Sequence, residues 1–573
     1  MNAQRLATAI LAAGLLALSS GARAETEKSG LAMLDVPFAS SLAGSYLAGR
    51  SADVARDLEA AATYFTAALE RDPDNPILLE RVIVLRAANG EIEPALELAD
   101  RLVEIDRLNP LARLVRSVVA FGDGNYVQSR EEIAETAPAP LAQLTAGLLT
   151  AWSEQATGDT DGALQTIGEL SGPAWYDIFQ NYHQALIADL AGREDLAVDH
   201  ITKAFNSDGS ALRVVEAYGV ILTRAGERQD AIVGLRAFMA EQPNNPVIAE
   251  LLAAIEGGLT PKPVASTPVE GAAEVLYGLG AAIGTDQGTE LPAAYLHLSR
   301  FLKPSADLTL MALGDLLFSA ERCQDALDVY DRISPDSVLK RNADIQAGLC
   351  LDVLDRTDEA AARLDPMINA DPPDLDAIIA LGNIYRGRER FAEAATIYTK
   401  GIDLIGEPEA NHWRLFYFRG VANERSKNWP QAEKDLEQAL KLSPDQPQVL
   451  NYLGYSWVDM GSRLDDGLDM IRKAVEQRPR DGYIVDSLGW AYYRLGRYED
   501  AVEQLEIAVE LRPEDPVIND HLGDAYWQVG RKLEATFQWS HARDLDPEPA
   551  DLEKIVKKLE SGLAPGDDGG RDG

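Results

Sequence analysis

The chain has 573 residues, 46% apolar and 25% charged, and its 92 acidic against 53 basic side chains give a formal charge of −39. That length exceeds one compact core and calls for several domains or a repeat array. The charge repels nucleic acid and anionic lipid head groups, which disfavours both as partners; it serves either solubility or the steering of a basic partner.

Taken in chain order, the first element is a processing segment. Arg5 and the amino terminus are positive, residues 6–18 form an uncharged and mostly apolar stretch, and Ala22-Arg23-Ala24 has the small-x-small form of a signal-peptidase site. A signal peptide is therefore expected over 1–24, cleaved after Ala24, with a periplasmic or secreted product. The apolar stretch is too short to span a bilayer, and no later run reaches 18 consecutive apolar residues. No cysteine stands near the cleavage point to carry a lipid.

Beyond a lead-in over 25–37, a period of 34 takes over. Gly90, Gly124, Gly158, Gly192 and Gly226 are each 34 apart, and Ala95, Ser129, Ala163, Ala197 and Ala231 follow them five residues on. With glycine at about 7% of residues, four such hits by chance have odds on the order of 10⁻⁵. Gly280, Gly314, Gly348 and Gly382 keep the same step, and Gly420, Gly454, Gly489 and Gly523 continue it with small insertions. Within 486–513, Leu488, Gly489 and Tyr492 share one helical face, Gly496 ends that helix, and Ala501, Leu505, Ala508 and Val509 mark a second. Pro513 closes the unit, as Pro444, Pro479 and Pro547 do in others.

This skeleton, with Leu488-Gly489…Tyr492 and Leu522-Gly523…Tyr526 as its best copies, resembles the tetratricopeptide repeat. The resemblance implies an all-α, right-handed superhelical solenoid of about 14 helix-turn-helix repeats. It divides into an N-terminal array of about six divergent repeats over 38–256 and a C-terminal array of about eight over 272–548. Between them, residues 257–271, with three prolines and two glycines over 257–268, form either a hinge or a short crossing within a continuous solenoid. A capping helix is expected over 549–561 and a disordered tail over 562–573.

Chemistry-bearing motifs are missing. The six histidines are scattered, no phosphate-binding loop or nucleophile elbow occurs, and no long segment lies outside the repeats. The reading is a non-enzymatic scaffold without cofactor or metal. Cys323 and Cys350 fall on helices expected to pack together, so they form either a disulfide or two buried thiols.

In such a solenoid the first helices line the inner face. Around Gly489 the groove-facing stripe is Asp486, Trp490, Tyr493 and Arg494. It continues as Asn451, Tyr455, Val458 and Asp459 before, and Asp520, Asp524, Trp527 and Gln528 after. Aromatic and polar groups there suit an extended peptide or partner helix, unless the tryptophans merely fill gaps between helices. The row Asn383, Val421, Tyr455, Trp490 and Asp524 lacks the Lys/Asn set by which some relatives clamp acidic tails. Residues 451–456, 486–490 and 520–524 are also similar to exported proteobacterial repeat proteins. Some of those are adaptors for envelope proteases and cell-wall hydrolases, often lipid-anchored. The expected role is thus an adaptor in the cell envelope. The alternatives are a scaffold of a polysaccharide-export or cell-wall assembly machine, or a glycan or small-ligand carrier.

Overall fold

The computed structural model describes residues 41–55, 57–285 and 288–563; the expected signal peptide, the lead-in and the tail beyond Leu563 lie outside the described residues. Among the described residues there are thirty α-helices and no strand. They run as helix-turn-helix pairs. The first six pairs are α1 (Leu42–Val54) with α2 (Leu58–Leu69), α3 (Pro76–Ala88) with α4 (Ile92–Ile105), α5 (Pro110–Gly122) with α6 (Tyr126–Ala134), α7 (Pro140–Ala156) with α8 (Thr160–Gly168), α9 (Tyr176–Leu190) with α10 (Glu194–Ser207), and α11 (Leu212–Arg224) with α12 (Arg228–Glu241). A single helix, α13 (Pro246–Glu256), follows. Next come α14 (Pro268–Ala282) with α15 (Glu290–Leu302), α16 (Asp307–Ser319) with α17 (Cys323–Tyr330), and α18 (Lys340–Val353) with α19 (Thr357–Ile368). The last pairs are α20 (Leu375–Gly387) with α21 (Phe391–Ile405), α22 (Trp413–Arg425) with α23 (Trp429–Leu442), α24 (Pro447–Asp459) with α25 (Leu464–Gln477), α26 (Gly482–Arg494) with α27 (Tyr498–Leu511), and α28 (Pro516–Gln528) with α29 (Lys532–Asp544). Residues 549–561 form the single helix α30 (Pro549–Ser561).

Local chemistry sets the helix ends. Asn75-Pro76, Asn109-Pro110, Asn245-Pro246 and Asp515-Pro516 open α3, α5, α13 and α28. In each, the capping side chain accepts an otherwise unpaired backbone N–H, as Asn109 Oδ1 does from Ala112 at 3.1 Å. Proline in the first turn has no N–H to leave unpaired. Pro444, Pro479, Pro513 and Pro547 lie just past the ends of α23, α25, α27 and α29.

The two glycine series have different jobs. Gly90, Gly124, Gly158, Gly192 and Gly226 sit in the turns between paired helices with φ from 70 to 91°, in the left-handed region that suits glycine. Gly314, Gly382, Gly489 and Gly523 lie inside first helices, where a Cβ would come within 2.3–2.5 Å of Tyr330, Tyr398, Leu505 and Trp539. Glycine here lets the paired helix approach. Gly523→Val should therefore cost about 1–3 kcal/mol through overpacking; an unchanged urea midpoint would contradict it. In the middle repeats the turn position passes to Glu321, Asp355, Glu389 and Lys427, with φ of 58–63°. A left-handed residue bearing a side chain costs about 1–2 kcal/mol, against a smaller entropic cost for glycine. Lys427→Gly should raise stability by roughly 0.5–1 kcal/mol in chemical denaturation. A lower midpoint would show that the turn carries no strain.

The described residues divide into two compact units between Arg363 and Leu364, inside α19, not at 257–271. In the first unit, residues 259–267 follow α13 and lead into α14, which packs on α7 and α9, while α15 packs on α3 and α5. The segment is therefore neither a hinge between blocks nor a crossing along one solenoid. The α14–α15 hairpin covers the first helices of the early repeats. Apolar burial drives this: Leu276, Leu279, Tyr295 and Leu298 share one core with Leu144, Leu148, Trp152 and Leu186. A Cβ on Gly271 would meet the Trp152 ring at 2.3 Å. Polar contacts fix the register, with Thr145 Oγ1 3.0 Å from Tyr295 Oη and Arg81 Nη2 2.9 Å from Glu290 Oε1. Arg213 donates to both Glu274 oxygens at 2.6 and 3.0 Å, and Tyr182 Oη donates to Glu274 at 3.2 Å.

Cys323 and Cys350 are buried and unlinked in this unit. The two thiols are hydrogen-bonded to one another, and burial pushes both pKa values up. Of the two readings, the structure has the thiol pair.

Candidate functional site

In the second unit each helix makes its substantial contacts with neighbours in the repeat order, and consecutive first helices touch directly: α20 with α22, α24 with α26, α26 with α28. That contact decides the fate of the groove stripe. Asp486, Trp490, Tyr493 and Asp524 are buried, whereas Asn451, Tyr455, Asp459, Arg494, Asp520, Trp527 and Gln528 are half-buried. The groove reading is thus corrected for the first four and for Val458, which is fully buried as well: Asp486, Trp490 and Tyr493 lie in the seam between first helices, and Asp524 is covered by α29 and α30.

Trp490 is 3% exposed and lies between two rings, 4.1 Å from His521 and 4.8 Å from Tyr493 by centroid, nearly parallel to both. His521 Nδ1 is 2.9 Å from Asp486 Oδ1, linking α28 to α26. Gln528 Nε2 donates to Tyr493 Oη at 3.2 Å. Arg494 Nη1 reaches the Asp459 carbonyl at 3.0 Å and its carboxylate at 3.3 Å. At the far end, Lys558 of α30 donates to Asp520 at 2.8 Å and Asp524 at 2.7 Å, while Trp539 Nε1 donates to Asp524 at 2.9 Å. Trp527 is partly covered as well: Lys532 Nζ lies 4.6 Å from its ring centroid and Gly562 is packed against it.

Burial works against a charge on His521, but Asp486, with help from Asp520 and Asp524, more than offsets it and raises the pKa above 6.5. A raised histidine pKa in the folded state adds stability that is full below the unfolded value and fades as pH climbs through the folded one. The melting temperature should therefore fall on going from pH 6 to pH 9, by less in Asp486→Asn than in wild type. Equal pH dependence in both proteins would refute the link.

What stays accessible is a wall centred on α24. Tyr455 and Asn451 are half-buried there, and Asn451 Oδ1 has no hydrogen-bond partner in the protein. That oxygen is itself buried, so the accessible part of the wall here is the ring of Tyr455. The wall continues onto α22 and α20 through Tyr417 and Arg386, both half-buried, with the Arg386 guanidinium 4.8 Å above Phe418 and its Nε unpaired. These two escaped the sequence reading. Their spacing could have found them: Tyr417 precedes Gly420 as Asp486 precedes Gly489, and Arg386 follows Gly382 as Tyr493 follows Gly489.

The family models that match describe a TPR repeat over residues 489–530 and a tetratricopeptide repeat over 46–110, 377–409 and 419–482. The chain carries tetratricopeptide repeats. Such repeats are frames for protein–protein interaction. The curated TPR repeat-containing protein PA4667 of Pseudomonas aeruginosa is 29% identical over 193 residues, a match covering 32% of this chain and 31% of that protein. Among solved structures, the APC/C hetero-tetramer Cut9-Hcn1 is 15% identical, with 90% of this chain and 96% of that chain covered and a TM-score of 0.36. MamA from Desulfovibrio magneticus RS-1 is 19% identical, with 31% and 95% covered and a TM-score of 0.26. Among the described residues of this TPR chain, no helix is long and apolar enough to cross a membrane.

Proposed function

We propose that this TPR chain is a non-enzymatic adaptor of the bacterial cell envelope that captures a partner protein through an extended segment laid along α20, α22 and α24. The observation carrying this reading is the pair of half-buried rings Tyr455 and Tyr417, left partly uncovered on first helices of the second unit. Tyr455 and Tyr417 offer flat apolar faces to the side chains of an extended segment. In the first unit the corresponding first helices are covered by α14–α15, so capture is assigned to the second. Export rests on the signal-like residues 1–24, and the envelope protease or cell-wall hydrolase is the partner class suggested by residues 451–456, 486–490 and 520–524.

The test is a photo-crosslinking amino acid placed at Tyr455 and, as an outer-face control, at the exposed Glu503 of α27. Crosslinking in living cells should give a discrete adduct from 455 and none from 503, with the protein recovered from the envelope fraction beginning at Glu25. Adducts from 503 alone would refute the wall, and retention of residues 1–24 would refute export.

A further inference from the structure

The net charge of −39 makes any cluster of unneutralised cations conspicuous. One such cluster lies in the first unit where the α3–α4 turn meets α15 and α17. His297 and Arg300 of α15 lie against Gly90: a Cβ there would come 2.7 Å from His297 Nδ1 and 3.1 Å from Arg300 Nη2. Arg322, which opens α17, reaches the same turn by donating from Nη2 to Asn89 Oδ1 at 3.1 Å. Arg332, just past α17, is exposed, and its charge lowers the pKa of both His297 and Arg300.

The pairing of this group is unusual. Arginines elsewhere in the chain commonly hold a carboxylate, yet no hydrogen bond or ion pair engages the Arg300 or Arg332 guanidinium among the described residues. Arg322 spends Nε on Asp325 at 2.7 Å, but its Nη1 is buried and unpaired. His297 is 6% exposed, and its Nδ1 is also buried without a partner. Burial and the three arginines hold that ring neutral, with its pKa pushed down to about 3, and Arg300 is lowered by burial and by Arg332. Like charges gathered with open donors beside a buried polar atom suit an anion, and among the described residues Asp325 is the one carboxylate hydrogen-bonded to the group.

We propose that Arg300, Arg322 and Arg332, with His297, form a binding site for a phosphate-type oxyanion, either free or as a phosphate monoester. Planar guanidinium forks match tetrahedral oxyanions, and Arg300 and Arg322 converge with His297 on the turn at Asn89 and Gly90. The site is separate from the wall on α20–α24 and independent of the partner proposed there.

Calorimetric titration of the mature protein with inorganic phosphate and with glycerol phosphate, at constant ionic strength set by chloride, tests it. Saturable binding of either is expected, and which one binds more tightly separates the free ion from the ester. Arg300→Gln and Arg332→Gln should each weaken binding roughly tenfold or more, as loss of a charge-assisted hydrogen bond predicts. Since neither guanidinium has a partner to lose, both variants should melt no lower than wild type in chloride alone. Absence of saturable binding, or full affinity in both variants, would overturn the proposal.

Discussion

Trp490→Ala is expected to lower the stability of the second unit by about 3–5 kcal/mol, the cost of truncating a buried aromatic side chain. The ring is stacked on His521 and Tyr493 at the seam of α26 and α28 and belongs to the core that includes Leu505, Leu522 and Trp539. Its loss leaves a cavity and unseats His521 from one of its two neighbours. Urea unfolding should show the drop, and hydrogen exchange should place it in residues 482–528. A surface groove residue would leave the midpoint within about 0.5 kcal/mol of wild type, so that outcome would return Trp490 to the binding wall.

Glu274→Ala should cost the first unit about 1.5–3 kcal/mol, because it removes one of the two carboxylates, with Glu216, that hold a largely buried guanidinium. Arg213 and Glu274 are 15% and 12% exposed and joined by two hydrogen bonds, with Tyr182 as a third donor. Burial opposes the charge on Arg213, and Glu216 with Glu274 holds it. The variant should also expose residues 259–302 to proteolysis. Glu256→Ala, which breaks an exposed pair with Arg236, serves as the control and should change stability by less than about 1 kcal/mol. Equal effects of the two changes would mean that α14 is not held as described.

Much of this architecture was legible because a hairpin stack repeats its contacts at a fixed interval. Leu488, Gly489 and Tyr492 showed a helix with one apolar face, and Gly496 and Pro513 marked its punctuation. Two features escaped, each for a physical reason. The return of α14–α15 onto α3–α9 depends on contacts between residues far apart in the chain, such as Thr145 with Tyr295, to which a period of 34 is blind. Trp490 and Tyr493 were placed on the groove because they occupy groove-facing positions of a single helix. Burial is settled instead by the next first helix, which brings His521 and Gln528 across them. The same holds for the arginine cluster, which draws on α15, on the start of α17 and on the loop after it. The two glycine ladders share a step, and their two uses were legible, with Gly496 at a helix end and Gly489 at a close helix approach.

The decisive measurement is hydrogen exchange on the full chain, alone and in complex with the protein crosslinked at position 455. Protection is expected in peptides from α20, α22 and α24, with α3, α5, α7 and α9 unchanged because α14–α15 already shields them. Protection centred on those early helices, or on the outer helices α25 and α27, would contradict capture along the Asn451–Tyr455 wall.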